Sequence, residues 1–200
     1  ITGASGGIGG ALARALDANG VGHLVLAGRR THALEGLADS LTCDTTVVTA
    51  DLSSSEGMTT LIERAGPVDL LVNCAGFGSF GPFAECGSGT QEGMVMVNCL
   101  APVALTRAFL PAMIAAGRGC VVNIASGMSF QPMPYMSTYA ATKAFLLHWS
   151  EGLAQELRGT GVTAIAVCPG TVHTGFAAAG AIRIDRITGV RFITVGIDRV

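Results

Sequence analysis

Short apolar runs alternate with stretches of helical periodicity along most of the chain. The apolar runs are rich in β-branched residues and mostly continuous, which is typical of parallel strands buried on both faces. They lie at His23–Ala27, Thr45–Ala50, Val68–Asn73, Cys120–Ala125 and Val162–Cys168. The helical stretches lie near Ile8–Asn19, His32–Leu41, Ser55–Arg64, Gln91–Ala116 and Ser137–Arg158. Repeated β-α units of this kind predict an α/β fold, a doubly wound parallel sheet with helices on both faces.

Both ends of the chain depart from this pattern. A glycine-rich turn opens the chain with only Ile1 before it, so we expect the first strand to be largely missing from a truncated chain. Beyond Phe176 the sequence is rich in Ala and Gly, then carries scattered Arg and Asp up to a candidate strand at Arg191–Ile197. This strand could fill the vacant central position of the sheet. We expect one domain over residues 1–200, in which 177–200 form an atypical tail.

Composition excludes several classes of protein. Of the 200 residues, 50% are hydrophobic and 13% are charged, and the formal net charge is −2. This balance suits a single packed domain and gives no reason to expect a nucleic-acid partner. The most apolar stretch, 94–116, contains two prolines and Arg107. We therefore expect a buried amphipathic helix there and no membrane span.

The cysteines and histidines do not have the spacing of metal ligands. None of the six cysteines belongs to a CxxC pair, and most lie inside apolar runs, so we expect buried, reduced thiols. No signal peptide precedes Ile1, and these features together favour a cytoplasmic protein. The four histidines are scattered along the chain, and we expect no metal site.

The only lysine of the chain, Lys143, follows Tyr139 by four residues. On a helix this spacing places both side chains on one face, where a cation favours the phenolate and lowers the phenol pKa from about 10. A tyrosine with a lowered pKa can act as a general acid or base. An exposed polar pair on a helix would have the same spacing, so the pair alone is a weak indication.

Three other features are those that a dinucleotide site needs. The run Thr2–Gly9 (TGASGGIG) precedes a helix, and glycines there permit a tight turn whose amide groups can face a pyrophosphate. Residues 28–30 read Gly-Arg-Arg at the end of a strand, where guanidinium groups instead of an acid favour a 2′-phosphate, and hence NADP(H) over NAD(H). Asp51 ends the next strand and could accept a hydrogen bond from an adenine amino group. Taken singly, each feature is also explained by an ordinary turn or a solvated strand end.

Taken together, the motifs of the chain resemble those of the short-chain dehydrogenase/reductase family. They are TGASGGIG, Asp51-Leu52, Asn73-Cys74-Ala75-Gly76, Asn98, Ser126, Tyr139-x-x-x-Lys143 and Pro169-Gly170, in the family's order. The set is specific although its members are not, and it runs from Thr2 to about Phe176. The resemblance implies a Rossmann-like fold and a homodimer or homotetramer formed through the helices Gln91–Ala116 and Ser137–Arg158.

The resemblance implies a role for each of four residues. Tyr139 donates a proton to a carbonyl oxygen or removes one from an alcohol. Lys143 lowers the phenol pKa and hydrogen-bonds the nicotinamide ribose. Ser126 holds the reacting oxygen, and Asn98 anchors a water that connects Lys143 with solvent.

A larger set of residues is implied in cofactor binding. It comprises Thr2, Gly3, Ser5, Gly7, Ile8, Gly9, Arg29, Arg30, Asp51, Leu52, Asn73, Ala75, Gly76, Tyr139, Lys143, Pro169, Gly170, Val172 and Thr174. Two positions depart from the family's pattern. Cys74 replaces an asparagine, which is a mild change. Gly6 stands where some NADP-dependent members carry a basic residue, so the NADP preference rests mainly on Arg29.

We therefore expect an NADP-dependent oxidoreductase that interconverts a ketone and a secondary alcohol. The run Gly76–Phe83 (GFGSFGPF) resembles that of a ketoacyl-reductase-like bacterial branch, which implies an apolar or acyl-chain substrate. The stretch Met128–Met136 could form a pocket wall or fill the core, and Phe77 and Phe80 present the same choice. The alternative is a nucleotide-binding protein without turnover, or an inactive fragment of such an enzyme.

Overall fold

The structure, a computed structural model, describes residues 1–172 and the backbone of residues 194–195. Residues 171 and 172 are likewise described by their backbone alone. The expected cofactor contact Thr174 lies outside the described residues. So does most of the predicted strand Arg191–Ile197.

The five predicted strands all form, and all of them pair in parallel. β1 (His23–Gly28) pairs with β2 (Asp44–Thr49). β3 (Leu70–Asn73) pairs with β4 (Gly119–Ile124), and β4 pairs in turn with β5 (Val162–Val167). Each strand matches its prediction to within two residues at either end. The short, continuous apolar runs therefore predicted the positions of these five strands correctly.

Ile1 and Thr2 lie in the centre of the sheet and join its two halves. The amide of Ala27 in β1 donates to the carbonyl oxygen of Ile1 at 2.9 Å. On the other side, the amide of Thr2 donates to the carbonyl oxygen of Val72 in β3, also at 2.9 Å. The order across the sheet is therefore β2, β1, Ile1–Thr2, β3, β4 and β5. These two residues alone represent the first strand that we expected to be largely missing.

The prediction that Arg191–Ile197 fills the central position is wrong for the two residues of it that the structure describes. Thr194–Val195 form a short strand, β7, that pairs in parallel with β6 (Thr171–Val172). The physical reason is that the central position is already taken. The backbone groups of β1 and β3 that face it are hydrogen-bonded to residues 1 and 2.

Helices connect the strands much as predicted, with one irregularity. They are α1 (Gly7–Ala18), α2 (Thr31–Ala38), α3 (Ser55–Ala65), α4 (Ser88–Val95), α5 (Ala101–Ala116) and α6 (Ser137–Glu156). The expected single helix Gln91–Ala116 is α4 and α5, joined by a π turn at Met96–Leu100. Short 3₁₀ turns occur at Phe83–Glu85 and Gly127–Phe130. No sequence pattern indicated the π turn or the 3₁₀ turns.

Side chains of β1 pack on both faces of the sheet. Leu24 and Leu26 lie in a cluster with residues of α1 and α2, including Ala13 and Leu34. Ala27 points the other way, into the largest cluster, which α3, α5 and the end of α6 complete. The buried members of that cluster include Val48, Met58, Leu61, Leu71, Leu105, Phe109, Met113, Val121 and Leu153. Successive strand residues thus face opposite layers of helices, which confirms the doubly wound α/β fold.

The helical stretch Ser88–Ala116 is, among the described residues, the one helix long and apolar enough to cross a membrane by length and composition alone. This is weak evidence for a membrane span, because the core helix of a globular protein meets the same criteria. The stretch buries Leu105, Phe109 and Met113 in the main core. Its inner face is therefore the buried apolar face that the sequence predicts.

All six cysteines are free, as expected for reduced thiols. The expectation that they are fully buried is wrong, because each keeps an intermediate exposure. Apolar neighbours in the sequence place a residue in or beside a strand. They do not decide whether that residue lies in the middle of the strand or at its solvent-facing end.

Candidate active site

A cleft of about 520 Å³ lies along the carboxyl ends of the strands. Its walls come from the segments that directly follow each strand, namely 28–30, 50–52, 74–77, 124–126 and 169–170. The glycine-rich turn between Thr2 and α1 forms its floor. The carboxyl edge of an open parallel sheet is where such folds bind their ligands, and the volume suits a cofactor-sized molecule.

Most of the residues that the sequence assigns to the site line this cleft. They are Gly3, Ser5, Gly7, Ile8, Gly9, Arg29, Arg30, Asp51, Leu52, Ala75, Gly76, Ser126, Tyr139, Lys143, Pro169 and Gly170. Three others do not line it: Thr2, Asn73 and Asn98. For Val172 the structure gives only the backbone, which lies in β6.

Thr2 lies behind the cleft and does not face it. Its side chain is buried, and its hydroxyl donates to the carbonyl oxygen of Val72 at 3.3 Å. The same hydroxyl accepts the amides of Cys74 and Ala75, each at 3.0 Å. The Thr2 side chain therefore has no place in the cleft wall, and the implied part of Thr2 in cofactor binding stays a prediction. Thr2 holds the turn after β3 against the centre of the sheet.

Asn73 is also buried behind the cleft. Its amide nitrogen donates to Asn123 Oδ1 on the neighbouring strand at 2.8 Å, and Asn123 Nδ2 donates to Ser150 Oγ of α6 at 2.8 Å. This chain of polar groups ties β3 and β4 to α6. Asn73 therefore braces the sheet and does not line the cleft, and its implied part in cofactor binding stays a prediction.

The glycine-rich turn packs so closely that a side chain at Gly3 or Gly9 would collide with backbone atoms. Gly3 has a φ of +68°, and a Cβ there would stand 2.9 Å from the backbone nitrogen of Ala75. A Cβ at Gly9 would lie 2.5 Å from the carbonyl oxygen of Gly3. Because α1 begins at Gly7, the first amides of the helix are next to the cleft. Such a helix N-terminus favours an anionic group.

Arg29 and Arg30 stand at the end of β1 with different surroundings. Arg30 Nη2 donates to the carbonyl oxygen of Ser5 at 2.6 Å, and lies 3.1 Å from the point where a side chain at Gly6 would begin. The guanidinium of Arg30 thus occupies the neighbourhood of the position where some NADP-dependent family members carry a basic residue. Arg29 is exposed at the rim of the cleft.

Asp51 lines the same cleft, after the end of the neighbouring strand β2. The amide and hydroxyl of Ser53 both donate to Asp51 Oδ1, at 3.0 and 2.8 Å. These hydrogen bonds lower the pKa of Asp51 below its usual value, and the charge of Arg29 adds a smaller effect in the same direction. The carboxylate is therefore ionised at neutral pH and available as an acceptor.

Ser126, Tyr139 and Lys143 meet on one wall of the cleft. Ser126 comes directly after the end of β4, whereas Tyr139 and Lys143 are one turn apart near the start of α6. Lys143 Nζ donates to the carbonyl oxygen of Ile124 at 2.7 Å. It lies 5.9 Å from the centre of the Tyr139 ring. Three of the four side chains that the sequence assigns to catalysis are thus brought together.

The pKa of Tyr139 shifts in the direction opposite to the one expected from Lys143. Burial raises the pKa of the phenol above 10, and a hydrogen bond with the Ser126 side chain offsets part of that rise. Burial also lowers the pKa of Lys143 to about 8, against the opposing influence of nearby thiols such as Cys74. The predicted lowering of the Tyr139 pKa is wrong for this structure, because the desolvation of the buried phenol is the largest influence on its pKa.

Asn98 is fully buried in the π turn, with its side-chain amide bound to protein groups. Its nitrogen donates to the carbonyl oxygen of Phe77 and to the hydroxyl of Thr142, each at 3.0 Å, and its oxygen accepts the amide of Phe77. Both amide hydrogens are therefore in use. The implied role in holding a water stays a prediction, and it would need another atom of this residue.

Gly76 makes room for the two polar side chains beside it. A Cβ there would lie 3.1 Å from Asn98 Oδ1 and 3.4 Å from Lys143 Nζ. A side chain at this position would have to displace the polar ends of Asn98 or Lys143 by a few tenths of an ångström.

The methionine- and aromatic-rich segments divide between core and pocket wall. Met133 and Met136 are buried in a cluster with Tyr139 and Met94, so they fill the core. Phe77 lines the cleft. Met133 and Met136 thus belong to the core, whereas Phe77 belongs to the wall of the cleft.

Cys74 and Val97 also line the cleft, although the sequence had not assigned them to it. Cys74 precedes two predicted residues, and its place in the turn after β3 could have been inferred from them. Val97 reaches the cleft from the π turn, for which the sequence holds no signal.

Comparison with known proteins places this arrangement in context. Residues 1–181 match the family described as short chain dehydrogenase. The chain is 33% identical to the ketoacyl reductase HetN of a Nostoc species, covering 95% of this chain and 69% of that protein. It is 34% identical to the short chain dehydrogenase MYCFIDRAFT_6125 of Pseudocercospora fijiensis, covering 89% of this chain and 60% of that protein. The chain thus spans about two thirds of the length of these relatives.

Solved structures of dehydrogenases also match the fold of this chain. A short-chain dehydrogenase from Sphingobium yanoikuyae in complex with NADPH matches with a TM-score of 0.90 and 30% identity, over 100% of this chain and 79% of that one. The bulky-bulky ketone specific alcohol dehydrogenase from Comamonas testosteroni matches with a TM-score of 0.80 and 32% identity, over 86% of this chain and 72% of that one.

Replacing Gly9 with alanine tests the close packing of the glycine-rich turn. The new Cβ would meet a backbone oxygen at 2.5 Å, so we expect a loss of about 1–3 kcal/mol in the free energy of unfolding. Gly36→Ala on the exposed side of α2 is the matched control. Nothing lies within 4 Å of its Cβ, and it should gain up to about 1 kcal/mol. Urea unfolding measures the free energy of unfolding of both variants. Equal values for Gly9→Ala and Gly36→Ala would contradict the close packing at Gly9.

The buried Lys143 predicts a pH-dependent difference between the native protein and Lys143→Met. The pKa of Lys143 is about 8 in the folded protein, whereas its ordinary value is 10.5. Between these values the unfolded chain binds more protons at this residue, so native stability rises with pH relative to the variant. We expect a gain of about 3 kcal/mol across this window and no change below it. Urea unfolding at several pH values gives the difference, and a constant difference would refute the lowered pKa.

Proposed function

The chain belongs to the short-chain dehydrogenase/reductase family, an oxidoreductase family, and from this we propose that it interconverts a ketone and a secondary alcohol with a nicotinamide cofactor. One observation carries the proposal. Ser126, Tyr139 and Lys143 line the same cleft as the glycine-rich turn at the start of α1. A protein that only bound a nucleotide would not need a hydroxyl, a phenol and an ammonium converging on one wall.

In the direction of reduction, Tyr139 donates its proton to the carbonyl oxygen of the substrate. The Ser126 side chain, which hydrogen-bonds with the phenol, can hold the same oxygen and stabilise its developing negative charge. The nicotinamide, when bound, supplies the hydride that the carbonyl carbon receives. The products are the alcohol and the oxidised cofactor, and the phenolate of Tyr139 recovers its proton from solvent.

The surroundings of Tyr139 favour this role. Because burial raises its pKa, the phenol is protonated at neutral pH and is ready to donate. Lys143, with a pKa of about 8, is mostly protonated at neutral pH. Its charge stabilises the phenolate left after proton transfer.

We propose NADP(H) as the preferred cofactor. Arg29 and Arg30 flank the cleft at the end of β1, where Gly28 stands in place of an acid. Guanidinium groups there can bind a 2′-phosphate through charge-assisted hydrogen bonds. The solved relative from Sphingobium yanoikuyae, a complex with NADPH, supports this choice.

We propose an apolar or acyl-chain carbonyl compound as the substrate. Phe77 lines the cleft, and Phe80 and Met128 pack beside the cluster that contains Tyr139. Phe83 and Phe130 belong to the two segments that flank this side of the site, and they are 67% and 69% exposed. Relatives named as a ketoacyl reductase and as an alcohol dehydrogenase specific for bulky ketones agree with this class.

We further propose a homodimer or homotetramer in the cytoplasm. The apolar side chains Val95, Leu100 and Ile114 are exposed along α4, the π turn and α5, and Phe145 is exposed on α6. Phe145 stacks on Trp149, with ring centres 6.4 Å apart. These helices could bury that surface against a second copy, and free cysteines suit a reducing compartment.

Replacing Tyr139 with phenylalanine tests the proton donor. Turnover of a panel of apolar ketones, followed by NADPH absorbance, should fall at least about 100-fold, because general acid catalysis is lost. The affinity for NADPH should change little. Tyr135→Phe is the matched control, since Tyr135 is the other tyrosine and is 58% exposed. Comparable turnover in Tyr139→Phe would overturn the assignment, and binding of NADPH without turnover by the native protein would favour a pure binder.

Replacing Arg29 with alanine tests the cofactor preference. We expect the dissociation constant for NADPH to rise about tenfold or more, because charge-assisted hydrogen bonds to the 2′-phosphate are lost. The constant for NADH should change much less. Arg64→Ala removes the same charge outside the cleft and serves as the control. Equal losses for the two cofactors in Arg29→Ala would defeat the 2′-phosphate argument.

A further inference from the structure

Ser129 is a buried hydroxyl that none of the motifs assigns to the site. It lies in the 3₁₀ turn Gly127–Phe130, directly after the end of β4, and its residue is 5% exposed. Its hydroxyl donates to the carbonyl oxygen of Lys143 in α6 at 2.9 Å. It also accepts the backbone amide of Ser126 at 3.2 Å. One side chain thus connects the serine and the lysine of the catalytic wall.

The surroundings of Ser129 leave its hydroxyl little freedom. A hydroxyl has one hydrogen to donate and two lone pairs. The hydrogen is donated to the carbonyl oxygen of Lys143, and one lone pair accepts the amide of Ser126. Two segments of the chain therefore meet at this oxygen: the turn after β4 and helix α6. Bonds between segments so far apart in sequence fix their relative position.

The backbone of Ser126 is held in a second way. Its own hydroxyl accepts the amide of Met128 at 3.1 Å, so the serine and the 3₁₀ turn that follows it cap one another. Ser126 and Ser129 together form a capping box at the start of the 3₁₀ turn. The Ser126 side chain hydrogen-bonds with the Tyr139 side chain of α6, whereas Ser129 bonds the backbone of that helix. Ser129 therefore ties the backbone of the turn to the backbone of the helix that carries Tyr139.

We propose that Ser129 is a positioning residue that holds Ser126 in hydrogen-bonding distance of Tyr139. The catalytic groups of an enzyme must be held to within about 0.5 Å by the residues around them. Ser129 does this by tying the amide of Ser126 to the backbone of α6. It touches neither the cleft nor the substrate. The inference rests on the proposed function only in taking Tyr139 as the proton donor.

The ionisation of Tyr139 gives a direct test, because the chain has only two tyrosines. In a Tyr135→Phe background, the tyrosinate absorbance reports Tyr139 alone. It is recorded by stopped-flow pH jump on the cofactor-free protein, so that slower unfolding does not contribute. Ser126→Ala removes the hydrogen bond itself and should raise the pH of half-ionisation by about one unit.

Ser129→Ala should shift the ionisation upward as well, by a smaller but resolvable amount, while the protein stays folded. Ser129→Thr keeps the hydroxyl and should titrate like the Tyr135→Phe parent. Ser88→Ala, at the exposed start of α4, controls for the loss of a serine. A folded Ser129→Ala protein that titrates like its parent would overturn the proposal, since a merely structural residue would leave Tyr139 unchanged.

Steady-state kinetics provide a second measurement. For Ser129→Ala we expect a lower kcat with an unchanged KM for NADPH, and recovery in Ser129→Thr. If Ser129→Ala does not fold, a Ser129→Thr protein with impaired kcat despite its hydroxyl would count against the proposal. Failure of the native protein to reduce any ketone would refute the proposed function. It would leave the titration, made without cofactor, to decide the role of Ser129.

Discussion

The pairing of Ile1 and Thr2 between β1 and β3 is the interaction on which the rest of the structure depends. It joins two sets of strands that carry different parts of the cleft. One set supplies Arg29 and Asp51, and the other supplies the segments that lead to Ser126 and Gly76. Each set forms a sheet by itself, but the cleft exists only where the two lie side by side. A few backbone hydrogen bonds therefore fix the geometry of the whole site.

Dehydration is the second constraint, and it acts on Tyr139 and Lys143 together. Burial raises the pKa of Tyr139 and lowers that of Lys143. Both shifts favour the neutral form of the group concerned, since a charge is costly in a poorly hydrated wall. The hydroxyl of Ser126 and the carbonyl oxygen of Ile124 return part of the lost solvation. A charge on Tyr139 or Lys143 is therefore least costly where it interacts with these two polar groups.

The sequence predicted the sheet and the location of the site well, because parallel strands bring their carboxyl ends to one edge. This rule placed Arg29 and Asp51 at the cleft, and the family resemblance added Ser126. The rule does not say which way a side chain points, and Thr2 and Asn73 turned out to face inward. It also cannot weigh desolvation against a neighbouring charge, so the direction of the Tyr139 shift was missed. The π turn depends on packing between helices, for which the local sequence has no signature.

The π turn at Met96–Leu100 has a consequence for the length of this part of the chain. A π turn contains one residue more than an α turn, so it rotates α5 by about 100° relative to an uninterrupted continuation of α4. The two helices can therefore present different faces to the core while Asn98 still points at Phe77. Removing a single residue from this segment would leave a regular helix with good hydrogen bonds, yet Asn98 would face elsewhere. In this segment, the direction in which a side chain points depends on the number of residues as well as on their chemical character.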